Sequence, residues 1–107
     1  MLAIGRSVAR TLRLLAGADD HHLLLYDYVE DMLERRVPYR EAHLARIASE
    51  RKRGRIVTAG ALGDPPSGAA IVFKGVEREA VKEFVHGDPY VEAGLVTRWR
   101  IEPWKVV

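Results

Sequence analysis

Residues 55–75 read RIVTAGALGDPPSGAAIVFKG, and this stretch decides the fold because it predicts two consecutive strands. The segment GDPPS separates two apolar runs, RIVTAGAL and GAAIVFKG, and its glycine, aspartate and prolines favour a turn. Neither Pro65 nor Pro66 fits inside a strand, since proline lacks the backbone donor that a sheet requires. The stretch therefore predicts a β-hairpin near the middle of the chain.

A helix is predicted on each side of this hairpin. Before it, the stretch YREAHLARIASERKR follows Pro38, repeats apolar residues such as Leu44 and Ile47 at helical spacing, and stops at Gly54. After it, VEREAVKEFVH carries its apolar residues on one side and stops at Gly87. Both segments therefore predict helices that pack against a sheet.

The two ends of this region predict one further strand each. Residues 23–30, LLLYDYVE, follow the polar stretch ADDHH and are rich in Leu, Tyr and Val. In residues 95–102, LVTRWRIE, successive side chains alternate with the period of two that is typical of a strand. We expect Pro103 to end this strand. The order β-α-β-β-α-β predicts an α+β, ferredoxin-like domain, in which both helices cover one face of a four-stranded antiparallel sheet.

This topology is expected to bring His43 and Asp88 to the same end of the domain. The two helices run antiparallel in this fold, so the start of the first lies beside the end of the second. The ends of the first and second strands and the start of the fourth are expected there too. Two residues that are distant in sequence thus become predicted neighbours.

Each of these two residues has a chemical and a structural interpretation. An imidazole such as that of His43 exchanges protons readily near neutral pH, which suits a general base or acid, but a helix also carries ordinary histidines. Asp88 follows a helix carboxyl end, where the macrodipole disfavours negative charge, and beside an imidazole it would make an acid–base pair. Alternatively, Asp88 caps a turn before Pro89. On local sequence alone, both interpretations stay open.

Other candidate residues follow from the same region and from the start of the chain. Tyr90 either donates a proton or a hydrogen bond beside Asp88, or packs with its hydroxyl toward water. His21 and His22 are adjacent, so in an extended chain they point to opposite sides and do not chelate one metal together. The absence of cysteine excludes thiolate catalysis and cysteine-based zinc sites. We therefore expect neither a cofactor nor a metal.

The charge distribution argues against a nucleic-acid partner. The 107 residues hold 17 basic and 15 acidic side chains, but residues 1–18 contain arginines and no acid, so the remaining body is close to neutral. RNA-recognition modules share the strand order, but they need exposed aromatic residues on the third strand, where this chain has GAAIVFKG. Charges interrupt every apolar run, so we expect no membrane span.

The first 20 residues are predicted to form an extension before a single domain at residues 21–107. Its segment MLAIGRSVARTLRLLAGA has arginines at helical spacing, apolar residues between them and no acid, which is typical of a mitochondrial targeting peptide. The alternative is an amino-terminal helix without a targeting role, in which case the cytoplasm is the expected location.

Four segments, REAHLARI, GRIVTAGAL, DPYVEAG and IEPWKVV, resemble the successive signature segments of YCII-related proteins, in the same order and at similar intervals. The resemblance covers residues 23–107 and implies a ferredoxin-like domain that dimerises as a dimeric α/β barrel. It also implies an active site built on the histidine of R-x-x-H-L and the aspartate of D-P-Y, here His43 and Asp88. The family's arginine matches Arg40, which either holds an anionic substrate or forms an ion pair with Glu41 or Asp88.

Two functions remain in competition at this level. The first is an enzyme that uses His43 and Asp88 for proton transfer on a small organic substrate, by isomerisation, elimination or hydrolysis. The second is a non-catalytic homodimer that binds a small ligand or a protein. The dimer is predicted from the sheet face that no helix covers. This face carries either one set of polar and apolar residues or the set that alternates with it along the strands, and both sets are too apolar to remain in water. The first set comprises Tyr26, Tyr28, Arg98 and Arg100.

Overall fold

The structure, a computed structural model, describes residues 17–107. The predicted targeting segment, residues 1–18, therefore lies outside the described residues apart from its last two. In chain order the elements are β1 (His21–Tyr28), α1 (Met32–Arg35), α2 (Arg40–Lys52), β2 (Ile56–Leu62), β3 (Gly68–Lys74), α3 (Arg78–His86), α4 (Pro89–Glu92) and β4 (Val96–Trp104). Within residues 17–107, no helix is long and apolar enough to cross a membrane.

The strands form one sheet in the order β2-β3-β1-β4, and every neighbouring pair is antiparallel. Two longer helices, α2 and α3, and two single-turn helices, α1 and α4, complete the domain. The predicted α+β, ferredoxin-like order β-α-β-β-α-β is therefore confirmed.

The main core lies between the sheet and the longer helices. Alternate residues of the central strands β1 and β3 are buried on the helix-covered face, as a period of two requires. Helix α3 contributes its strongly apolar side, which packs on these strands. The fully buried members are Leu24, Tyr26, Ile56, Ala69, Ile71, Phe73, Val81, Phe84, Val85 and Ile101.

The observed strand ends differ most from the predicted ones in β1, which spans His21–Tyr28 instead of residues 23–30, and in β4. Strand β1 begins at His21 rather than Leu23, because both histidines continue the pairing with β3 and β4. Strand β4 passes through Pro103 and ends at Trp104, so the prediction that Pro103 ends it is wrong. The reason is position: β4 is an edge strand, paired only with β1, and an edge strand tolerates a residue without a backbone donor.

The residue set predicted for the uncovered sheet face is also wrong. Tyr26 pairs with Trp99 on the helix-covered face, whereas Asp27 pairs with Arg98 and Leu25 pairs with Arg100. The two tyrosines and the two arginines thus lie on opposite faces of the sheet. Sequence alternation gives each strand two faces, but only the pairing register says which faces coincide.

Candidate functional site

The site is built around Asp88, which lies between α3 and α4 and is completely buried. As the N-cap of α4 it accepts a hydrogen bond from the backbone N–H of Tyr90 at 3.0 Å, and Pro89 occupies the first helical position. The capping interpretation is therefore correct. Capping occupies only part of the carboxylate, however, because two side chains donate to it as well.

His43 is the first of these two side chains. Its Nδ1 lies 2.8 Å from Oδ1 of Asp88, and only 5% of the residue is exposed. The prediction that these two residues are neighbours is confirmed. When Nδ1 holds the proton and donates to the carboxylate, the lone pair of Nε2 is available, and Nε2 makes no hydrogen bond with any residue in the range 17–107.

Tyr26 is the second side chain, and sequence reasoning did not identify it as part of the site. Its hydroxyl donates to Oδ2 of Asp88 at 2.8 Å, and its ring belongs to the core. Burial, and then the charge of Asp88, raise the pKa of Tyr26, so its hydroxyl stays protonated and continues to donate. The sequence did contain a signal for Tyr26. Because it lies two residues after Leu24, both side chains lie on the core face of β1, and a buried tyrosine hydroxyl usually needs a hydrogen-bond partner.

Tyr90 fixes the ring of His43 from one side. The two rings stack with centroids 3.8 Å apart and planes 8° from parallel. Tyr90 is itself held by a small apolar cluster with Met32 and Leu95, and Tyr28 meets its ring edge-on at 6.0 Å. Burial raises the pKa of Tyr90, while the positive charges of the nearby guanidinium groups oppose this shift. The structure thus brings three of the predicted site residues into one contact network.

A polar contact one helical turn further on joins α2 to α3. Arg46 donates from Nη1 to the backbone oxygen of Phe84 at 2.6 Å, and its guanidinium lies 4.5 Å from the centre of the Phe84 ring. A side chain at Gly87 would meet this guanidinium, since an added Cβ would lie 2.9 Å from Nη2 of Arg46. Arg46 therefore holds α2 against the carboxyl end of α3, which keeps His43 beside Asp88.

A cavity of about 370 Å³ opens beside His43, between α2 and the strands β2 and β3. Its existence follows from residue sizes. The helix presents Leu44 and Ile47 to it, while the sheet beneath presents mainly small residues besides Ile71, so helix and sheet do not close on each other. The small residues of this floor are Ala59, Gly60, Ala61 and Ala69.

Three arginines line this cavity, and no carboxylate does. They are Arg36 after α1, Arg40 at the start of α2 and Arg51 near its end. Neither ion pair considered for Arg40 is present, because Asp88 is occupied by other donors and Glu41 does not bridge to it. Arg36, Arg51 and Tyr28 were not predicted as lining residues. They come from three separate elements, and only tertiary packing assembles them.

The described part of the chain offers no obvious metal site. In residues 17–107, no three His, Cys, Asp or Glu side chains are grouped so that they could hold an ion. Chemically, the arrangement consists of a buried carboxylate that orients an imidazole, a free imidazole nitrogen, and an adjoining cationic, partly apolar cavity.

Comparisons with known proteins identify relatives over most of the chain. A sequence profile of the YCII-related domain family matches residues 21–105. The chain is 34% identical over 86 residues to Protein YciI of Escherichia coli, covering 72% of this chain and 88% of that protein. It is 31% identical over 96 residues to an uncharacterized protein of Haemophilus influenzae, covering 81% of this chain and 98% of that protein.

A solved structure resembles the described fold as well. The 5-chloro-2-hydroxyhydroquinone dehydrochlorinase of Burkholderia phenoliruptrix, in complex with 2,5-dihydroxybenzoquinone, superimposes with a TM-score of 0.66 at 25% sequence identity. The match covers 79% of this chain and 93% of that chain. With the sequence profile, the identities and the fold in agreement, the chain belongs to the YCII-related domain family.

Proposed function

We propose that the protein catalyses proton transfer on a small organic molecule bound in the cavity, with His43 as general base and acid. The observation that carries this proposal is the buried hydrogen bond of 2.8 Å between His43 and Asp88 at the wall of that cavity. Asp88 orients the imidazole, and its negative charge stabilises the imidazolium that forms when Nε2 takes a proton.

The environment of Asp88 supports this role. Three donors, from His43, Tyr26 and the backbone of Tyr90, converge on its two oxygens, so most acceptor positions of the ionised carboxylate are occupied. The hydrogen bond between Nδ1 of His43 and this carboxylate fixes the orientation of the imidazole ring. Stacking on Tyr90 limits rotation of the ring, which keeps Nε2 directed to one place.

Isomerisation, elimination and hydrolysis all begin with such a proton transfer, and the name of one structural relative favours elimination. One solved relative is by name a dehydrochlorinase, a class that removes hydrogen and chloride from a substrate. In such a step Nε2 takes the proton, the C–H electron pair forms the new double bond, and the bond from the neighbouring carbon to the leaving group breaks, so that this group departs as an anion with the electron pair of that bond. We propose that Arg40 and Tyr90, which line the cavity beside His43, contact the substrate.

Deuterium exchange tests proton transfer on any enolisable molecule, so the natural substrate need not be identified first. The protein is incubated in D₂O with three enolisable probes: 2,5-dihydroxybenzoquinone, benzene-1,2,4-triol and an unsaturated γ-lactone. Loss of C–H signal is followed by NMR. We expect exchange of at least one probe above the buffer rate, and a fall of about 100-fold or more in His43→Ala, since a positioned general base contributes about that much.

A matched control is available in His86→Ala. His86 is exposed, lies at the end of α3 and is not among the cavity residues. Its replacement should leave exchange unchanged. Exchange that persists in His43→Ala, or wild-type protein that exchanges none of the probes, would contradict the proposal.

A second proposal concerns the uncovered sheet face, and it keeps the non-catalytic homodimer as an alternative function. Leu23 and Leu25 of β1 lie on this face, and their partners on β3 are Val72 and Ala70. Contiguous apolar residues on a sheet face that no helix covers are a common place for a partner to bind. We propose that a second copy of the chain covers it. Light scattering should give twice the chain mass at micromolar concentration, and Leu25→Arg should halve it; a wild-type monomer would refute the pairing.

A further inference from the structure

We infer that the molecule bound in this cavity is an organic acid, whose planar anionic group is held by Arg36 and Arg40 beside His43. This inference names the class of molecule on which the proposed function would act, and it rests on the proposed function only for the claim that the bound molecule is a substrate. Binding itself is measured separately from proton transfer. Its basis is the charge, the layout and the surroundings of the cavity.

The charge of the cavity wall is one-sided. Arg36, Arg40 and Arg51 line it, no carboxylate does, and in the part of the chain that the structure describes none of the three guanidinium groups has an acidic partner. Elsewhere in that part, only Arg55 and Arg100 form ion pairs with a carboxylate, so the distinguishing feature of the cavity is that several arginines line one space that no acidic residue lines. Cations that lie close together without a counter-charge, as Arg36 and Arg40 do beside Tyr90, repel each other, and an anion between them relieves that repulsion. The cavity is therefore complementary to a negative ligand.

Two of the three cations lie at the reactive end. Arg40 precedes His43 by one helical turn, and both Arg36 and Arg40 act electrostatically on the hydroxyl of Tyr90, whose ring stacks on His43. Arg51 lies eleven residues after Arg40, which corresponds to about 16 Å along a helix axis. The pair Arg36 and Arg40 thus forms a separate binding position from Arg51.

The space between these positions is apolar. Leu44, Ile47 and Ala48 form one wall, and the small floor residues of β2 and β3 together with Ile71 form the other. A ligand that fits this layout has its charged group beside His43 and an apolar body that extends along α2. Guanidinium groups bind the planar carboxylate in two-point contacts, which suits an organic acid with an apolar body.

A neighbouring recess is lined by acidic residues, and this contrast strengthens the preference of the cavity for an anion. A second recess of about 490 Å³ shares only Tyr28 with the cavity, and its charged lining residues are Glu30, Asp31 and Glu34, without any basic residue. An anion is therefore attracted to one side of Tyr28 and repelled from the other.

Paired acids and amides test this inference by calorimetry. The probes are benzoate and cinnamate with their neutral counterparts benzamide and cinnamamide, and inorganic phosphate serves as a non-organic anion. We expect each acid to bind at least about tenfold more tightly than its amide, since a hydrogen bond to a charged group is worth about that much or more. Binding should also weaken as salt concentration rises.

Arginine variants test whether acid binding depends on contact with Arg36 and Arg40 or only on the positive charge of the surrounding surface. The double change Arg36→Gln with Arg40→Gln should weaken acid binding by about tenfold or more and leave amide binding unchanged. The matched control is Arg35→Gln, which removes the adjacent, exposed charge that does not line the cavity. Circular dichroism of each variant checks that the fold is retained.

The outcomes distinguish this inference from the proposed function. Equal binding of acids and amides, no binding of either acid, or displacement of benzoate by equimolar phosphate would each overturn the organic-acid assignment, even if His43→Ala abolishes deuterium exchange. Conversely, arginine-dependent acid binding in a protein that exchanges no probe would support this inference and overturn the proposed function. His43→Ala is expected to keep the acid preference, since the charges that create it remain.

Discussion

Replacing Tyr26 with phenylalanine is expected to lower the free energy of unfolding by about 2 kcal/mol at neutral pH. The hydroxyl is buried and donates to Oδ2 of Asp88 at 2.8 Å, so its removal leaves a buried carboxylate oxygen without this donor. A hydrogen bond to a charged group contributes about 1.5–3 kcal/mol, and phenylalanine preserves the ring packing. For a domain of this size, the change corresponds to a fall of about 8–16 °C in Tm.

The same variant predicts a pH dependence with a definite sign. The raised pKa of Tyr26 keeps its hydroxyl protonated in the folded state, whereas in the unfolded chain it ionises near pH 10. Above about pH 10 the unfolded state therefore releases a proton that the folded state keeps, and stability falls by up to about 1.4 kcal/mol per pH unit for this group. Tyr26→Phe lacks this loss, so the stability gap between wild type and variant should narrow from pH 10 upward.

Urea unfolding followed by circular dichroism between pH 7 and 11 measures both effects. Tyr39→Phe is the control, because Tyr39 is partly exposed and its hydroxyl makes no side-chain contact with Asp88. Its stability should stay within about 0.5 kcal/mol of wild type. A Tyr26→Phe variant as stable as wild type at pH 7, or a gap that widens above pH 10, would refute the reasoning.

Two further changes test the support of the site. Asp88→Asn should preserve the N-cap of α4 but remove the negative charge beside His43, so deuterium exchange should fall by about 100-fold or more; retained exchange would count against the pair. Gly87→Ala should displace the guanidinium of Arg46 and cost about 1–2 kcal/mol in urea unfolding. Gly60→Ala, where an added Cβ meets no atom within 4 Å, is the matched control, and equal losses in both would exclude the clash as the cause.

The order of elements was predictable because it depends on local signals. Hydrophobic periodicity and turn residues around Pro65 and Pro66 are local, and a glycine follows each of the two longer helices within two residues, so the β-α-β-β-α-β order follows from these signals. The single-turn helices α1 and α4 were not predicted, because four residues are too few for a periodic pattern. For α4 a signal exists in Asp88 followed by Pro89, but the same two residues also favour a simple turn.

The closeness of His43 and Asp88 was predictable for a different reason. Antiparallel helices on one face bring the start of one beside the end of the other, whatever their side chains. The third partner, Tyr26, was not found by that reasoning, although its position on the core face of β1 indicated a buried hydroxyl. The arrangement of the helices therefore brought His43 and Asp88 together, and the hydrogen bonds of the structure identified Tyr26 as the third residue of the group.

By itself, the sequence determined the element order, the end of the domain where the pair lies and the kind of chemistry that a histidine and an aspartate offer. The tertiary structure alone decided which sheet face Tyr26 and Arg98 occupy, since that depends on strand register between distant segments. It also decided the cavity, because a void arises only where the apolar side of α2 meets alanines and glycine from two strands. The meeting of Arg36, Arg40 and Arg51 around one space has the same origin, since no local pattern records which side chains surround a volume left unfilled.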